Sequence, residues 1–137
     1  MTFDEGRDYV LSVFKAAWDT QPSYAVTWND VPAAPPGTDV IWARPTVRHA
    51  TGRQSSLSGE IGLRKFQHTG TVFVQIFGPV GDGLKQVYSA ANLVKNAYED
   101  SRHENLWFRN VRLNEIGENG GFQQFNVLAD FLYDEVR

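Results

Sequence analysis

The 137-residue sequence contains no cysteine, which excludes a disulfide framework, a thiolate zinc site, an iron-sulfur cluster and a cysteine nucleophile. It has no apolar run near the roughly 20 residues that a membrane-spanning helix needs. Its first residues, MTFDEGRDYV, carry acids where a signal peptide carries bases. We therefore expect a protein that is made in the cytoplasm and does not enter a membrane.

Strong charge of one sign is also lacking, because 13 Lys and Arg oppose 16 Asp and Glu for a formal net charge of -3. That balance has the wrong sign for a generic nucleic-acid binder. The length predicts a single domain spanning residues 1–137. With 42% hydrophobic residues, including nine Phe, five Tyr and four Trp, the chain can form a core without metal or disulfide.

The hydrophobic periodicity predicts an α+β fold. One helix is expected over 3–19 with Thr2 as its cap, and a second carries Leu84, Val87, Ala91, Val94 and Tyr98 at a 3, 4, 3, 4 spacing, with Asp82 as its cap. Strands are expected over 24–28, 40–50 and 61–77, and a hairpin over 106–118 and 122–135. This order predicts two helices packed on one face of a largely antiparallel or mixed sheet.

Three local features refine that expectation. Pro45 cannot donate a ladder hydrogen bond, so its strand is predicted to lie at an edge or to contain a bulge. Gly70 is predicted to mark a bulge or a kink between two halves of the long strand. The small, polar stretch 51–60 is predicted to be a mobile loop.

No catalytic constellation emerges from the residues. His49, His68 and His103 lack the spacing of a metal site, and His68 is expected to be a satisfied, partly buried histidine on a strand. The GPVGDG run at 78–83 lacks the lysine and the Ser or Thr of a phosphate-binding loop, and the serines at 55–58 lack a nucleophile elbow. We expect no enzymatic activity, no cofactor and no metal.

The distribution of charge is more informative than its total. Residues 1–40 sum to -4 and residues 71–137 to -3, whereas residues 41–70 sum to +4. This basic stretch carries Arg44, Arg48, Arg53, Arg64 and Lys65. It predicts a face that pairs with acidic faces of like or unlike subunits, and the alternative is weak, sequence-blind contact with duplex phosphates.

Apolar residues occur on both faces of the predicted sheet. Phe73 and Phe77 alternate away from the core set of the long strand, and Phe122, Leu128 and Leu132 do the same on the last strand. Two helices cover only one face, and a remaining apolar patch marks an interface. The alternative is that the segment after Trp28, or Trp42 and Trp107, covers this second face. The predicted contact residues are therefore Arg44, Arg48, Arg53, Arg64, Lys65, Phe73, Phe77, Phe122, Leu128 and Leu132.

Taken in order, these features resemble phage tail terminator-like proteins, the small ring-forming family that caps long non-contractile tails and joins them to the head. The resemblance covers most of the chain. It includes W-N-D-V-P-A-A-P-P-G at 28–37, W-A-R-P at 42–45, T-V-F-V-Q-I-F-G-P-V-G-D-G at 71–83 and N-V-L-A-D-F-L-Y-D-E at 126–135. The Q-I-F-G-P-V-G-D-G turn is the most informative part, because in this family a V-D-V-F-x-P-x-G-x-G-like run ends the central strand there.

The resemblance implies a structural virion protein at the head-proximal end of the tail. Its copies would form a ring, commonly a hexamer, that stops polymerisation of the tail tube and docks the neck of the filled head. Its partners would be itself, the tube protein and a neck or head-completion protein, with duplex DNA passing through the lumen without sequence-specific binding. Six copies of this size in a ring leave an opening of roughly 36 Å, which admits a double helix, whereas three leave roughly 6 Å.

Two other functions stay open at this stage. A head-completion protein of the neck or connector also forms rings between portal and tail. A small-ligand-binding α+β domain would instead use a Trp- and Phe-lined pocket beneath the helices.

Overall fold

The computed structural model describes residues 1–28, 37, 39–54, 59–81 and 84–137. Along the chain, the elements of these residues are α1 (Phe3–Trp18), β1 (Ala25–Val26), β2 (Trp42–Gln54), β3 (Lys65–Pro79), α2 (Lys85–Asp100), β4 (Leu106–Asn119) and β5 (Phe122–Val136). This order of helices and strands is the one that the periodicity predicts.

The described strands form one mixed sheet in the order β1-β2-β3-β5-β4. β1 runs parallel to β2, and the other neighbouring pairs are antiparallel. The last strand, β5, lies between β3 and β4 and pairs with β3 along its whole length, from Lys65↔Val136 to Pro79↔Phe122. The sheet and two helices confirm the predicted α+β fold.

Both helices pack on the same face of the sheet. Val10, Phe14 and Trp18 of α1 share one core with Val87, Val94 and Tyr98 of α2. The sheet contributes alternate residues to that core: Ala43, Val72, Val74, Ile76, Phe125, Val127, Ala129, Phe131 and Tyr133. The alternation predicted for β5 is therefore confirmed. No helix of the described residues packs on the other face, which we call the open face.

The helix starts differ from each other. Thr2 caps α1 with a full capping box, because its side chain accepts from the Glu5 amide while the Glu5 side chain accepts from the Thr2 amide. α2 begins at Lys85 with Leu84 in the cap position and no side-chain cap bond. The predicted cap, Asp82, lies outside the described residues.

The β2–β3 hairpin corrects three expectations. Thr51–Gln54, predicted to be part of a mobile loop, belong to β2, because pairing with β3 resumes at Gly52↔His68 after a bulge. The bulge lies on β2 between His49 and Gly52 and not at Gly70, which pairs regularly with both neighbouring strands. β3 begins at Lys65, since residues 61–63 form a turn in which Gly62 has a φ of +92°. Residues 55–58 of the predicted loop lie outside the described residues.

Pro45 lies where its chemistry requires. β1 pairs only with Trp42 and Ala43, so β2 has no described strand on its outer side from Arg44 onward. Pro45 therefore lies at an edge, as the sequence predicts. In the described part of the chain, no helix is both long and apolar enough to cross a membrane.

Candidate interaction surface

The open face carries most of the predicted contact residues. Residues paired across neighbouring strands share a face, and Ala43, Ile76 and Phe125 point into the helical core. The residues next to them in sequence therefore point away from the helices. By this alternation the open face carries nine of the ten predicted residues: Arg44, Arg48, Arg53, Lys65, Phe73, Phe77, Phe122, Leu128 and Leu132.

An aromatic cluster occupies the end of the open face near β1. Trp42 stacks on Phe77 with ring centroids 4.1 Å apart, and Phe122 meets Trp42 edge-on at 5.7 Å. Phe77 is only 6% exposed and Trp42 only 8%. The expectation that Phe77 is an exposed contact residue is therefore wrong, because Trp42 covers it.

The alternative that tryptophans cover the second face thus holds at one end of the sheet. At the other end, Trp107 pairs with Leu132 on the open face but is itself 45% exposed. Leu132, Leu128 and Phe73 are half-buried. The segment at 29–36 that could also cover this face lies outside the described residues.

Trp42 carries an unusual polar atom. Its indole Nε1 is buried and, in the part of the chain that the structure describes, has no hydrogen-bond partner. Trp18 provides the contrast, since its Nε1 donates to the carbonyl of Ala25 at 2.9 Å. A buried donor without an acceptor costs about 1–3 kcal/mol.

The middle of the open face is polar and basic. Arg44 donates to the Gln75 side chain at 2.8 Å and lies over the Phe77 ring at 5.9 Å. Arg48 is exposed beside it. A shallow cavity of about 210 Å³ lies here, lined by Thr46, Arg48, Phe73, Gln75 and Asn126.

Asp130 anchors a hydrogen-bond network on the same face. It accepts from Thr71 at 2.9 Å, from Asn110 at 3.1 Å and from Arg112 at 3.4 Å. Partial burial acts to raise the pKa of Asp130, but the bonds from Asn110 and Thr71 and the charge of Arg112 outweigh it. The pKa of Asp130 is therefore lowered.

The sequence reasoning missed the arginines of β4. Arg109 pairs with Asp130 and Arg112 with Leu128, so both lie on the open face although they are three residues apart. A bulge between them shifts the register, and Asn110 adopts a φ of +55° within it. Strict alternation would place these two side chains on opposite faces. Asn110 was the available signal, because Asn tolerates positive φ.

Together these strands make the open face positively charged. Among the described strand residues, β2, β3 and β4 bring Arg44, Arg48, Arg53, Lys65, Arg109 and Arg112 to it, while β5 brings Asp130 and Asp134. Arg64 is not part of this face. It precedes β3, donates to the backbone carbonyl of Arg137 at 3.2 Å and lies 5.8 Å from the Phe66 ring.

A second polar cluster lies on the helical side of the sheet, beside the first turn of α1. His68 contacts Glu135 at 3.1 Å and His49 contacts the Tyr133 hydroxyl at 2.8 Å, while the Phe3 ring packs on both imidazoles. His68 is therefore a satisfied histidine, as predicted, and it is more fully buried than expected. Burial, and after it the charge of His68, lowers the pKa of His49. Burial is also the main cause that raises the pKa of Tyr133 to about 12.

A cavity of about 440 Å³ opens beside these histidines. Its aromatic lining consists of Phe3, Phe66, His49 and His68, and Arg137, whose guanidinium lies 4.2 Å from the centre of the Phe66 ring, adds positive charge. This cavity differs from the Trp- and Phe-lined pocket that a ligand-binding domain would hold beneath its helices, because it lies beyond the first turn of α1 and has no Trp in its lining.

Comparisons with known proteins bear on the fold alone. No family model and no curated protein matches this chain. Solved structures do match, and one of them aligns with 93% of this chain and 94% of its own length, with a TM-score of 0.61 and 16% identical residues. At that identity the likeness supports the α+β fold and carries no function.

Proposed function

We propose that this chain is a structural virion protein that forms a ring on the end of a phage tail tube. The ring, a homohexamer, ends tube polymerisation and presents a docking surface to the neck or head-completion protein. It lies at the head-proximal end of the tail, and duplex DNA passes through its lumen without sequence-specific contact.

The observation that carries this proposal is the composition of the open face. Protein interfaces are enriched in arginine and aromatic residues, and this face places Arg44, Arg48 and Arg53 beside the half-buried Phe73 and Leu128. The surface is broad and follows the whole sheet. Its side chains suit contact with a second protein surface more than enclosure of a small substrate.

The charge of the open face suggests how the contact forms. Its excess of arginine attracts an acidic face of a neighbouring subunit or tube layer, which orients the encounter. Burial of Phe73, Leu128 and Leu132 then stabilises the complex, at roughly 25 cal/mol for each Å² of apolar surface removed from water. The function is thus one of complementary surfaces and requires no bond making.

The double variant Arg48→Glu/Arg53→Glu tests the role of this face. We expect it to fold normally and to lose most ring formation or tube binding, measured by light scattering and by negative-stain electron microscopy with tube protein. Arg7→Glu/Lys15→Glu is the matched control, because it makes the same charge change on the exposed surface of α1. Full assembly by the open-face variant rejects the assignment.

Electron microscopy of tails made with and without this chain separates the alternatives. Loss of a terminator gives tubes of uncontrolled length, whereas loss of a neck protein leaves tails of normal length without heads. A clean monomer at high concentration in the presence of tube protein would instead favour the ligand-binding alternative, for which the 440 Å³ cavity is the candidate site.

A further inference from the structure

The turn between β2 and β3 exposes large apolar side chains. Ile61 is 87% exposed and Leu63 is 61% exposed. Full burial of such a side chain is worth about 1.5–3 kcal/mol, so this exposure favours association. The charged residues that flank them in sequence are Arg53, Glu60, Arg64 and Lys65, which gives a local sum of +2. We use the name hairpin tip for the described residues of this region, 53–54 and 59–65.

A second exposed apolar surface lies at the start of α2 and along β4. Its members are Leu84, Tyr88, Leu113 and Ile116. The Tyr88 hydroxyl donates to Glu115, which joins the helix to the strand at this point. Residues 113–119 contain Glu115 and Glu118 and no Lys or Arg, and the start of α2 adds Lys85, for a local sum of -1. We call this surface the β4 patch.

The hairpin tip and the β4 patch lie at opposite ends of the sheet. The tip adjoins the Lys65↔Val136 end of the β3–β5 pair, whereas the β4–β5 turn adjoins the Pro79↔Phe122 end. A strand of this length spans roughly 50 Å at about 3.3 Å per residue. The two surfaces therefore cannot meet within one copy, and their charges are opposite.

Direct strand pairing between copies is disfavoured at both sheet edges. β4 contains bulges between Arg109 and Arg112 and between Glu115 and Gly117, and β2 contains Pro45 and its own bulge. Bulges and proline are devices that prevent edge-to-edge pairing. A contact between copies is therefore expected to form through side chains of the hairpin tip and the β4 patch. It is not expected to form through backbone pairing of edge strands.

We propose that the hairpin tip of one copy docks on the β4 patch of the next copy. Ile61 and Leu63 pack against Leu113, Ile116 and Tyr88, while Arg53 and Arg64 face Glu115 and Glu118. Because the two surfaces differ, the contact is head-to-tail, and repetition of it closes a ring when the rotation allows. This inference rests on the proposed ring function and assigns its subunit contact.

The absence of native cysteine makes cross-linking a direct test. Two differently tagged variants, Leu63→Cys and Ile116→Cys, are mixed, oxidised mildly and separated without reductant. We expect a mixed disulfide dimer well above the level given by either variant alone. Leu63→Cys mixed with Ser12→Cys is the control, since Ser12 is exposed on α1, away from the β4 patch.

A charge exchange gives a second readout that does not depend on a disulfide. Arg64→Glu and Glu118→Arg are each expected to weaken self-association about two- to five-fold, as a surface charge pair does. The double variant is expected to recover it. Glu118 is exposed and Arg64 is half-buried, so neither substitution removes a core side chain.

The outcomes distinguish this contact from the ring function itself. Self-association without the mixed disulfide, or without recovery in the double variant, overturns the tip-to-patch contact and leaves the proposed function standing. A chain that remains monomeric with tube protein overturns both. A mixed disulfide at the level of the Ser12 control also overturns the contact.

Discussion

Trp18 and Trp42 provide a matched test of what a buried indole N–H contributes. Both side chains are buried, but Trp18 Nε1 donates to Ala25 at 2.9 Å, whereas Trp42 Nε1 has no partner in the described part of the chain. The same substitution to phenylalanine removes the same atoms at both positions. The difference between the two variants therefore reports the hydrogen-bond state of the indole N–H.

The indole N–H contributes to stability with opposite signs at the two positions. Trp18→Phe loses a hydrogen bond worth about 0.5–1.5 kcal/mol, and Trp42→Phe removes an unpaired donor whose burial costs about 1–3 kcal/mol. Adding the two effects, Trp18→Phe should lower the free energy of unfolding by roughly 1.5–4.5 kcal/mol more than Trp42→Phe does. Stacking of Trp42 on Phe77 at 4.1 Å keeps a phenyl ring well packed there.

Urea denaturation followed by far-ultraviolet circular dichroism measures both free energies, with each slope compared with that of the parent chain. Fluorescence is unsuitable, because each variant removes a tryptophan. Equal losses of stability for the two variants, or a larger loss for Trp42→Phe, would refute the assignment of the unpaired donor.

Two further predictions concern the sheet. An added Cβ at Gly70 would lie 2.5 Å from Cζ of Phe131 and against the backbone carbonyl of Arg48, so Gly70→Ala should cost about 1–3 kcal/mol of stability, measured by urea denaturation. Gly59→Ala, with no atom within 4 Å of the added Cβ, is its control, and equal costs would contradict the packing argument. The pKa of Asp130 is lowered from its ordinary value of 3.8 in the folded chain. The stability that ionised Asp130 contributes is therefore fully present above pH 3.8 and is lost as the pH falls through the lowered pKa of the folded state. Asp130→Asn should therefore flatten the acid side of the stability profile below about pH 4, and an unchanged slope would show that the network around Asp130 does not form.

The sequence predicts the elements that depend on local periodicity. The spacing of Val87, Ala91, Val94 and Tyr98 identifies α2, and the alternation from Phe125 to Tyr133 identifies the buried face of β5. Both patterns are set by one face of an element that meets the core. They require no knowledge of which element lies next to it.

The parts that were not predictable depend on neighbours distant in sequence. Thr51–Gln54 have no apolar alternation, and only their pairing with residues 66–68 makes them strand. Phe77 alternates away from the core, and only the stacking of Trp42 removes it from the surface. The bulge that brings Arg109 and Arg112 to one face is likewise a property of the β4–β5 register.

The central place of β5 has a consequence for biosynthesis. β3 and β4 are both synthesised before β5, the strand that lies between them. The β3–β5 pairing and the sheet surface that packs against α2 therefore stay incomplete until residues 122–136 leave the ribosome. Contacts so distant in sequence slow folding and expose strand edges meanwhile. If copies of this chain form the proposed ring, they can do so only after β5 has been made, so incomplete subunits do not associate.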